Sequence, residues 1–155
     1  MGDRRKRQLR VQFDGRLKLE FHGANITSDA RLLVFRELDE AFRLTEKGST
    51  LLSDCRRGKN TQHTLLAMLR QSIYGRLAGY EDVNDAQRLR LDPAMRRIVG
   101  GRTKEKEAAS TSEMSRFETE MLSTRKNLTA LMNLSGTWID SVHESGPAHI
   151  KSLVP

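Results

Sequence analysis

The sequence predicts a mainly α-helical fold with a short N-terminal β-hairpin, in which the helices form a bundle that includes a helix–turn–helix-like segment. Apolar residues recur every three or four positions through the central and C-terminal parts of the chain, as they do on one face of a helix. Strict alternation of apolar and polar residues is confined to residues 9–21. The chain of 155 residues is also long enough for a core, since one of about 150 residues buries roughly 68–70% of its unfolded surface.

The predicted hairpin consists of the alternating residues 9–13 and 17–21, which flank Asp14-Gly15. An Asp-Gly pair is a common hairpin turn. A two-residue turn there would place Val11 opposite a lysine, whereas an odd-length loop or a bulge places Val11 opposite Leu19. We predict the odd-length loop, because it keeps the apolar side chains of both strands on one face.

The first helix is predicted to run from about Asp29 to Leu44. Thr27 or Ser28 can cap it, because a hydroxyl there accepts a hydrogen bond from an otherwise unpaired amide of the first turn. Its predicted apolar stripe consists of Phe35, Leu38 and Phe42.

The central helix has the strongest apolar periodicity in the chain, and Asn60 or Thr61 is predicted to cap it. Gly79 is expected to end it, since glycine readily adopts the left-handed conformation that closes many helices. The residues that repeat at helical spacing between these ends are Gln62, Leu65, Leu66, Leu69, Ile73 and Leu77.

Four carboxylates follow close together, namely Glu81, Asp82, Asp85 and Asp92. Such a group can be a metal or acid–base site, or it can be a series of helix caps. Asn84 and Gln87 fit a capping box, and Asp85 then falls in the first turn, where a carboxylate is favoured. Glu81 and Asp82 have no evident local role and are expected to be solvated.

Asp92 precedes Pro93, which is the order expected when an N-cap is followed by proline at the first helical position. We therefore predict a short helix over 93–99 that ends at Gly100-Gly101. The carboxylates of this part of the chain are interpreted as helix caps or solvated acids, and no catalytic or metal-binding residue is predicted among them.

Positive charge is concentrated in the middle of the chain. The net charge is +7, and residues 56–104 alone carry 11 basic and 4 acidic residues. Such a field favours binding to phosphate backbones, although a soluble surface with scattered arginines is the simpler alternative. A long helix, a turn and a short capped helix also have the outline of helix–turn–helix DNA readers. The predicted DNA-binding residues are Arg56, Arg57, Lys59, Arg76, Arg88, Arg90, Arg96 and Arg97.

Residues 101–112 contain glycine, serine and charge without periodicity and are predicted to be a linker. Ser110 and Glu113 have the spacing of a capping box for a short helix. A second clear amphipathic helix is expected to end at Gly146-Pro147, with Trp138 as a core anchor. Its apolar positions are Leu128, Leu131, Met132, Trp138, Ile139 and Val142.

Composition excludes several classes of protein. Cys55 is the only cysteine, so no intramolecular disulfide is expected and a reducing, cytoplasmic compartment is predicted. No apolar run approaches the ~20 residues that a membrane helix needs. The first ten residues, MGDRRKRQLR, form a basic arm and lack the apolar segment of a signal peptide.

Five segments together resemble the N-terminal part of bacterial insertion-sequence transposases of the DDE group 1 class. They are VQFDGRLKLEF, ITSDARLLVFRELDEAF, RQSIYGRLAGYEDVNDAQRLRLDPAMR, SRFE and GTWIDSVH. The resemblance covers nearly all of residues 11–154, and GYEDVNDAQRLRLDPAMR is its most specific part. It implies a helical region that contacts transposon-end DNA, takes part in assembling the synaptic complex and precedes a ribonuclease-H-like α/β core.

The resemblance implies a divalent metal, Mg²⁺, for the full-length family, held by a carboxylate triad that activates water and then a 3′ hydroxyl. Residues 148–155 are expected to be the incomplete start of the core, a first strand truncated before its metal-binding aspartate. No catalytic residue, metal ligand or cofactor is therefore assigned to this chain.

These inferences divide the chain into five regions and place it in the bacterial cytoplasm, on the nucleoid when DNA is bound. Expected partners are double-stranded DNA at transposon ends and a second copy of the chain, with no membrane. The regions are 1–25, a basic arm and β-hairpin; 26–100, a helical DNA-binding region; 101–112, the linker; 113–147, a helical segment that leads into the core; and 148–155, the truncated strand.

Three functions of different class are compatible with these features. The favoured function is the DNA-binding N-terminal region of a transposase, without catalytic activity as this chain stands. The second is an independent DNA-binding regulator that competes for the same DNA ends. The third is a protein-interaction module, in which amphipathic helices bind a partner and the arginines serve solubility.

Overall fold

The structure, a computed structural model, describes residues 9–10, 12–14, 18–19, 30–57 and 61–144, and this part of the chain is mainly helical. Helix α7 packs against α2, and α3 packs against both α2 and α5. The elements in chain order are β1 (Leu9–Arg10), β2 (Lys18–Leu19), α1 (Ala30–Phe42), α2 (Leu44–Leu51), α3 (Leu65–Leu77), a 3₁₀ helix (Val83–Asp85), α4 (Ala86–Leu89), α5 (Pro93–Val99), a second 3₁₀ helix (Gly101–Lys104), α6 (Thr111–Arg116), a π-helix (Phe117–Leu122) and α7 (Arg125–Glu144).

Strands β1 and β2 pair antiparallel over two residue pairs, with Leu9 opposite Leu19 and Arg10 opposite Lys18. The predicted register, which placed Val11 opposite Leu19, is therefore wrong by two residues. The other residues of the predicted hairpin arms and turn, apart from 12–14, lie outside the described residues, as do the basic arm over 1–8 and the predicted strand over 148–155.

Residues 12–14 were predicted to continue the first strand and enter its turn, but they bend away and contact the helices instead. The Gln12 amide donates to both carboxylate oxygens of Glu37 on α1, at 2.9 and 2.8 Å. The Phe13 ring lies 4.9 Å from the guanidinium of Arg36. A charge-assisted hydrogen bond and a cation–π contact thus replace ladder bonds for this segment.

Helix α1 ends at Phe42, because Arg43 adopts a left-handed conformation with φ 55° before α2 begins at Leu44. The predicted stripe is wrong, since Phe35 and Leu38 are each 41% exposed. The predicted caps at 27 and 28 lie outside the described residues. The face that α1 buries consists of Leu32, Arg36 and Asp39.

Asp39 explains why α1 buries a polar face. Its carboxylate accepts hydrogen bonds from the Thr45 amide at 2.8 Å and from the Tyr74 hydroxyl at 3.0 Å. It also pairs with Arg70 Nε at 3.5 Å and with Arg36 Nη1 at 3.7 Å. Burial, followed by the charge of Asp39, raises the pKa of the Tyr74 hydroxyl. This buried polar cluster joins α1, the start of α2 and α3.

Helix α3 is the predicted central helix, but Thr64 caps it, three residues after the predicted Thr61. The Thr64 hydroxyl accepts from the Ala67 amide at 3.1 Å. Gly79, with φ 90°, ends the helix in a left-handed conformation, as predicted. Leu69 is buried as predicted, whereas Leu77 is 47% exposed. The buried hydrophobic residues around α3 are Leu32, Leu52, Met68, Leu69, Tyr74, Ala86, Leu89, Met95, Ile98, Val99, Ala108, Ala109, Met114, Phe117 and Met121.

Two of the predicted caps are confirmed. The Asp92 carboxylate accepts from the Met95 amide at 2.7 Å at the start of α5, which ends at Gly100. Ser110 and Glu113 form a complete capping box at the start of α6. Both signals are local, so they depend little on the rest of the fold.

The capping box predicted at Asn84 does not form. Asp82 caps the 3₁₀ helix instead, because its carboxylate accepts from the Asn84 amide at 2.9 Å and from the Asn84 side chain at 3.0 Å. These two bonds lower the pKa of the Asp82 carboxyl. Asp82 therefore has the local role that its sequence context did not reveal.

The segment predicted to be a linker contains ordered and buried residues. Thr103 is buried in the 3₁₀ helix, and Ala108 and Ala109 lie in the core. The Gln71 side chain of α3 donates to the Ala109 carbonyl at 2.7 Å and accepts from the Ala109 amide at 2.8 Å. Residues 100–110 consequently pack on α3 and α5.

Helix α7 contacts the first half of the chain at both of its ends. The Asn127 side chain, fully buried, accepts from the Ser53 amide at 2.7 Å, and the Trp138 indole donates to the Phe42 carbonyl at 2.8 Å. The contact with Phe42 fits the predicted role of Trp138 as an anchor. The predicted apolar face is only partly buried, because Leu128, Met132 and Ile139 are exposed. Among the described residues, no helix combines the length and the apolarity that crossing a membrane requires.

Candidate nucleic-acid interface

Two cavities adjoin each other on either side of His63, directly before the cap of α3. We call the first, of about 500 Å³, the Arg57 pocket, and the second, of about 590 Å³, the Arg102 pocket. Together they form the His63 groove. The residues that line both cavities are Thr61, Gln62, His63 and Glu113.

His63 lies in the wall between the two cavities, with a side chain only 10% exposed. Its Nε2 atom is 3.8 Å from Glu113 Oε1, which is beyond hydrogen-bond distance. Burial lowers the pKa of His63, the charges of Arg102 and Arg56 lower it further, and Glu113 opposes them. The ring is therefore held towards its neutral form in a strongly basic setting.

Glu113 is committed to the start of α6. Its Oε2 accepts hydrogen bonds from the Ser110 amide at 2.9 Å and from the Ser110 hydroxyl at 2.8 Å. Burial opposes ionisation, but these bonds outweigh it and lower the pKa of the Glu113 carboxyl. The groove thus holds an ionised carboxylate that already has partners.

Two of the predicted DNA-binding arginines form close ion pairs. Arg56 contacts Asp54 at 2.5 Å and also donates to the His63 carbonyl at 2.7 Å. Arg76 on α3 forms a two-pronged pair with Glu118 of the π-helix, with both N–O distances 2.9 Å. Such bidentate pairs fix the geometry of both partners.

Arg90 and Arg97 also have acidic partners. Arg90 donates to Glu107, and its buried Nε atom has no hydrogen-bond partner among the described residues. Arg97 lies 3.4 Å from Asp14, whose carboxylate is 3.3 Å from Lys104 as well. These pairs connect α4 and α5 to segments that are distant in the sequence.

Arg96 and Arg88 bind neutral groups of the protein. Arg96 Nε donates to the carbonyls of Lys106 and Thr103, at 2.7 and 3.0 Å. Arg88, which is exposed, donates to the Tyr80 hydroxyl at 3.1 Å and stacks on its ring at 5.5 Å. Helix α5, the predicted reader helix, therefore uses both of its arginines in contacts within the protein.

Arg57 is the one predicted contact that is exposed, lines the groove and forms no ion pair within the described part of the chain. Lys59 lies outside the described residues. Three further cations share the properties of Arg57, although they were not among the predicted contacts. They are Arg102 and Lys106 in the Arg102 pocket and Arg116 in the Arg57 pocket.

No sequence pattern singled out these three residues. Lys106 lies in the predicted linker, and Arg116 lies beyond it on α6. Their basic character was visible, but their location beside residues 61–63 depends on how α6 packs against the start of α3. We call Arg57, Arg102, Lys106 and Arg116 the groove cations.

The carboxylates of this part of the protein do not fit a metal centre. Across residues 30–57, 61–144 and the short N-terminal described pieces, no three side chains of His, Cys, Asp or Glu come together as metal ligands. Asp82 and Asp92 bond backbone amides, while Glu107 and Glu118 pair with arginines. No step that requires a bound metal is therefore assigned to these residues.

Comparison with protein-family models gives a match to the model described as transposase DDE domain group 1, over residues 9–154. No curated protein and no solved structure matches the chain. The family match covers far more than half of the sequence. The chain therefore belongs to the transposase family with a group 1 DDE domain.

Proposed function

We propose that this chain is the DNA-binding N-terminal region of a bacterial insertion-sequence transposase and that it contacts transposon-end DNA through the His63 groove. Membership of the family implies a role in transposition and DNA as the substrate. The observation that carries the proposal is the set of groove cations, which line one groove, are exposed, and have no carboxylate partner in the described part of the chain.

Whether a cation is already paired with a carboxylate decides how much it can contribute to DNA binding. An arginine already paired with a carboxylate must break that pair before it can neutralise a phosphate. An unpaired cation can neutralise a phosphate directly and so releases counterions that were condensed on the DNA. The groove cations belong to the second class. Arg76 and Arg97, which were predicted as contacts, belong to the first.

The finer features of the proposal follow from the family resemblance. By that resemblance, the helical region precedes a ribonuclease-H-like core. The family normally uses a divalent metal, and the donor set of the described residues does not fit one. We therefore assign DNA binding to this chain, acting on the nucleoid in the cytoplasm, and assign no metal-dependent step to its described residues.

DNA binding is tested with a labelled transposon-end duplex and fluorescence anisotropy between about 50 and 200 mM salt. We expect affinity to fall steeply over this range. The double variant Arg102→Gln with Arg116→Gln should weaken binding about tenfold or more and reduce the salt slope by about one for each lost phosphate contact.

The matched control is Arg43→Gln with Arg125→Gln. It removes the same charge from exposed residues that line neither cavity, so it should change affinity by less than the groove variant. Equal losses in the two variants would assign binding to overall charge. An affinity for DNA that does not change with salt concentration would contradict the proposal.

Exposed apolar residues on α7 favour self-association as a second candidate function. Met132 is 79% exposed, and Leu128 and Ile139 are each nearly half exposed on the same helix. Light scattering tests this candidate by measuring the molecular mass at several protein concentrations. If the mass rises with concentration and the protein does not bind DNA, the result favours a protein-interaction module over a DNA-binding region.

A further inference from the structure

We propose that the Arg102 pocket binds a phosphate monoester, and that its occupant is the terminal phosphate of a DNA strand. This inference rests on the proposed function and makes it more specific. The Arg57 pocket and the remaining groove surface then contact phosphates along the duplex, while the Arg102 pocket receives a strand end.

The size of the Arg102 pocket favours a single group over a duplex. Its volume of about 590 Å³ is in the range of small-ligand sites, roughly 300–1,000 Å³. A continuous duplex cannot enter such a cavity, whereas a terminal phosphate with its sugar can. What enters must therefore be the end of a strand or a free small molecule.

The charges of the pocket favour an anion, and a phosphate monoester carries about −1.5 to −2 at neutral pH. Arg102 and Lys106 line the cavity and form no ion pair in the described part of the chain. The two acids that line it are engaged, since Glu107 pairs with Arg90 and Glu113 bonds Ser110. Arg90, Arg102 and Lys106 outnumber Glu107 and Glu113 by one among the lining side chains, so the cavity keeps a net positive charge that an anionic phosphate would neutralise.

The pocket also holds hydrogen-bonding groups that the protein itself does not use. Arg102 and Lys106 contribute several N–H donors to the cavity wall, and no carboxylate in the described part of the chain pairs with them. The His63 ring is nine-tenths buried and lies 3.8 Å from its nearest acid, Glu113. A phosphate has several acceptor oxygens and can bond such donors, and this is the second reason to assign an oxyanion to this cavity.

The experiment compares two duplexes of identical sequence, one with a 5′-phosphate and one with a 5′-hydroxyl, by anisotropy with the full chain. We expect the phosphorylated duplex to bind about fivefold more tightly or better. The variant Arg102→Gln with Lys106→Gln should abolish this preference while still binding DNA. The matched variant Arg57→Gln with Arg116→Gln should weaken binding to both duplexes and keep the preference.

Inorganic phosphate and a 5′-mononucleotide distinguish a strand end from a free anion. Each should compete for the phosphorylated duplex only at concentrations far above that of the duplex itself. If either competes as well as the duplex does, the assignment to a strand end is wrong. Thermal melting of each variant checks that it is folded, and Arg102→Lys serves as a second variant that keeps the charge and should keep part of the preference.

The outcomes separate this inference from the proposed function. Equal affinity for the two duplexes, with salt-dependent binding retained, overturns the strand-end pocket and leaves DNA binding intact. A preference that survives in the Arg102 and Lys106 variant places the phosphate elsewhere and also overturns it. Failure to bind either duplex overturns both proposals.

Discussion

Arg70 and Arg102 are both arginines of the basic middle of the chain, but their surroundings differ. Arg70 is largely buried, pairs with Asp39 and donates to the Val99 carbonyl at 3.4 Å. Arg102 is exposed in the wall of a cavity and forms no ion pair within the described part of the chain. The first holds helices together, whereas the second is available to a ligand.

This difference applies to the whole set of cations. Arg70, Arg76 and Arg96 have partners on other elements of the fold, and Arg36 stacks on the Phe13 ring outside its own helix. The groove cations have no such partners among the described residues. The net charge of a sequence does not distinguish these two sets. A basic segment therefore indicates a polyanion site less reliably than a folded surface whose cations contact no carboxylates.

The largest expected effect comes from removing the acid of the buried polar cluster. Asp39→Ala leaves Arg70 buried without its carboxylate, while Arg36 keeps Glu40, and breaking a buried pair on one side costs about 3–5 kcal/mol. Urea unfolding should show this loss. Glu46→Ala, which removes only an exposed pair with Arg43, should cost at most about 1 kcal/mol. Similar losses in both variants would mean that Arg36 and Arg70 do not depend on Asp39.

A smaller effect on the free energy of unfolding should distinguish Arg76, which is paired with Glu118, from the groove cation Arg116, although both are exposed. Arg76→Gln removes the two-pronged pair with Glu118 and should lower the free energy of unfolding by about 1 kcal/mol. Arg116→Gln should change it by less than about 0.5 kcal/mol and should weaken DNA binding instead. If Arg116→Gln destabilises the protein as much as Arg76→Gln does, the two sets of cations are not distinct.

The smallest expected effect is a pH dependence at His63. Burial, with help from Arg102 and Arg56, lowers the pKa of His63 below its usual 6.5, so the unfolded chain binds a proton at this residue more readily than the folded one. The contribution of His63 to the free energy of unfolding is therefore fully present above about pH 6.5, and it is lost as the pH drops through the lower pKa of the folded state.

We expect the wild type to lose more stability than His63→Gln between about pH 7 and about pH 5, measured by denaturant unfolding at each pH. The acids of the protein titrate in both proteins, so their contribution cancels in the difference. A larger loss in His63→Gln would show that the folded state favours the charged ring.

The parts of the fold that could be predicted are those encoded over a few residues. The caps at Asp92 and at Ser110 with Glu113, and the helix stop at Gly79, depend on neighbouring backbone amides alone. The buried face of α1 could not be predicted from hydrophobicity, because Asp39 makes a polar face the buried one. The register of β1 and β2 was missed because residues 12–14 bend away from the strand, where the Gln12 amide bonds Glu37 of α1.

The candidate site was predicted only in outline. Of the groove cations, only Arg57 was a predicted contact; Arg102 lies in the basic middle of the chain but was not singled out. The division into paired and unpaired cations depends on acids that lie far away in the sequence, such as Glu118 for Arg76. Lys106 and Arg116 were missed for the same reason, since only folding brings them beside residues 61–63. Whether the predicted arginines contact DNA stays a prediction.

The Gln71 side chain, which bonds both backbone polar groups of Ala109, has a consequence for the opening motions of the protein. A backbone amide outside regular secondary structure normally exchanges its hydrogen quickly with solvent. The Ala109 amide can do so only when a residue 38 positions away releases it, and that residue is buried in α3. Hydrogen exchange at the Ala109 amide should therefore be as slow as in the interior of α3. A protease should likewise not cut early at Ala109, because hydrogen exchange and proteolysis there both require the same cooperative unit to open.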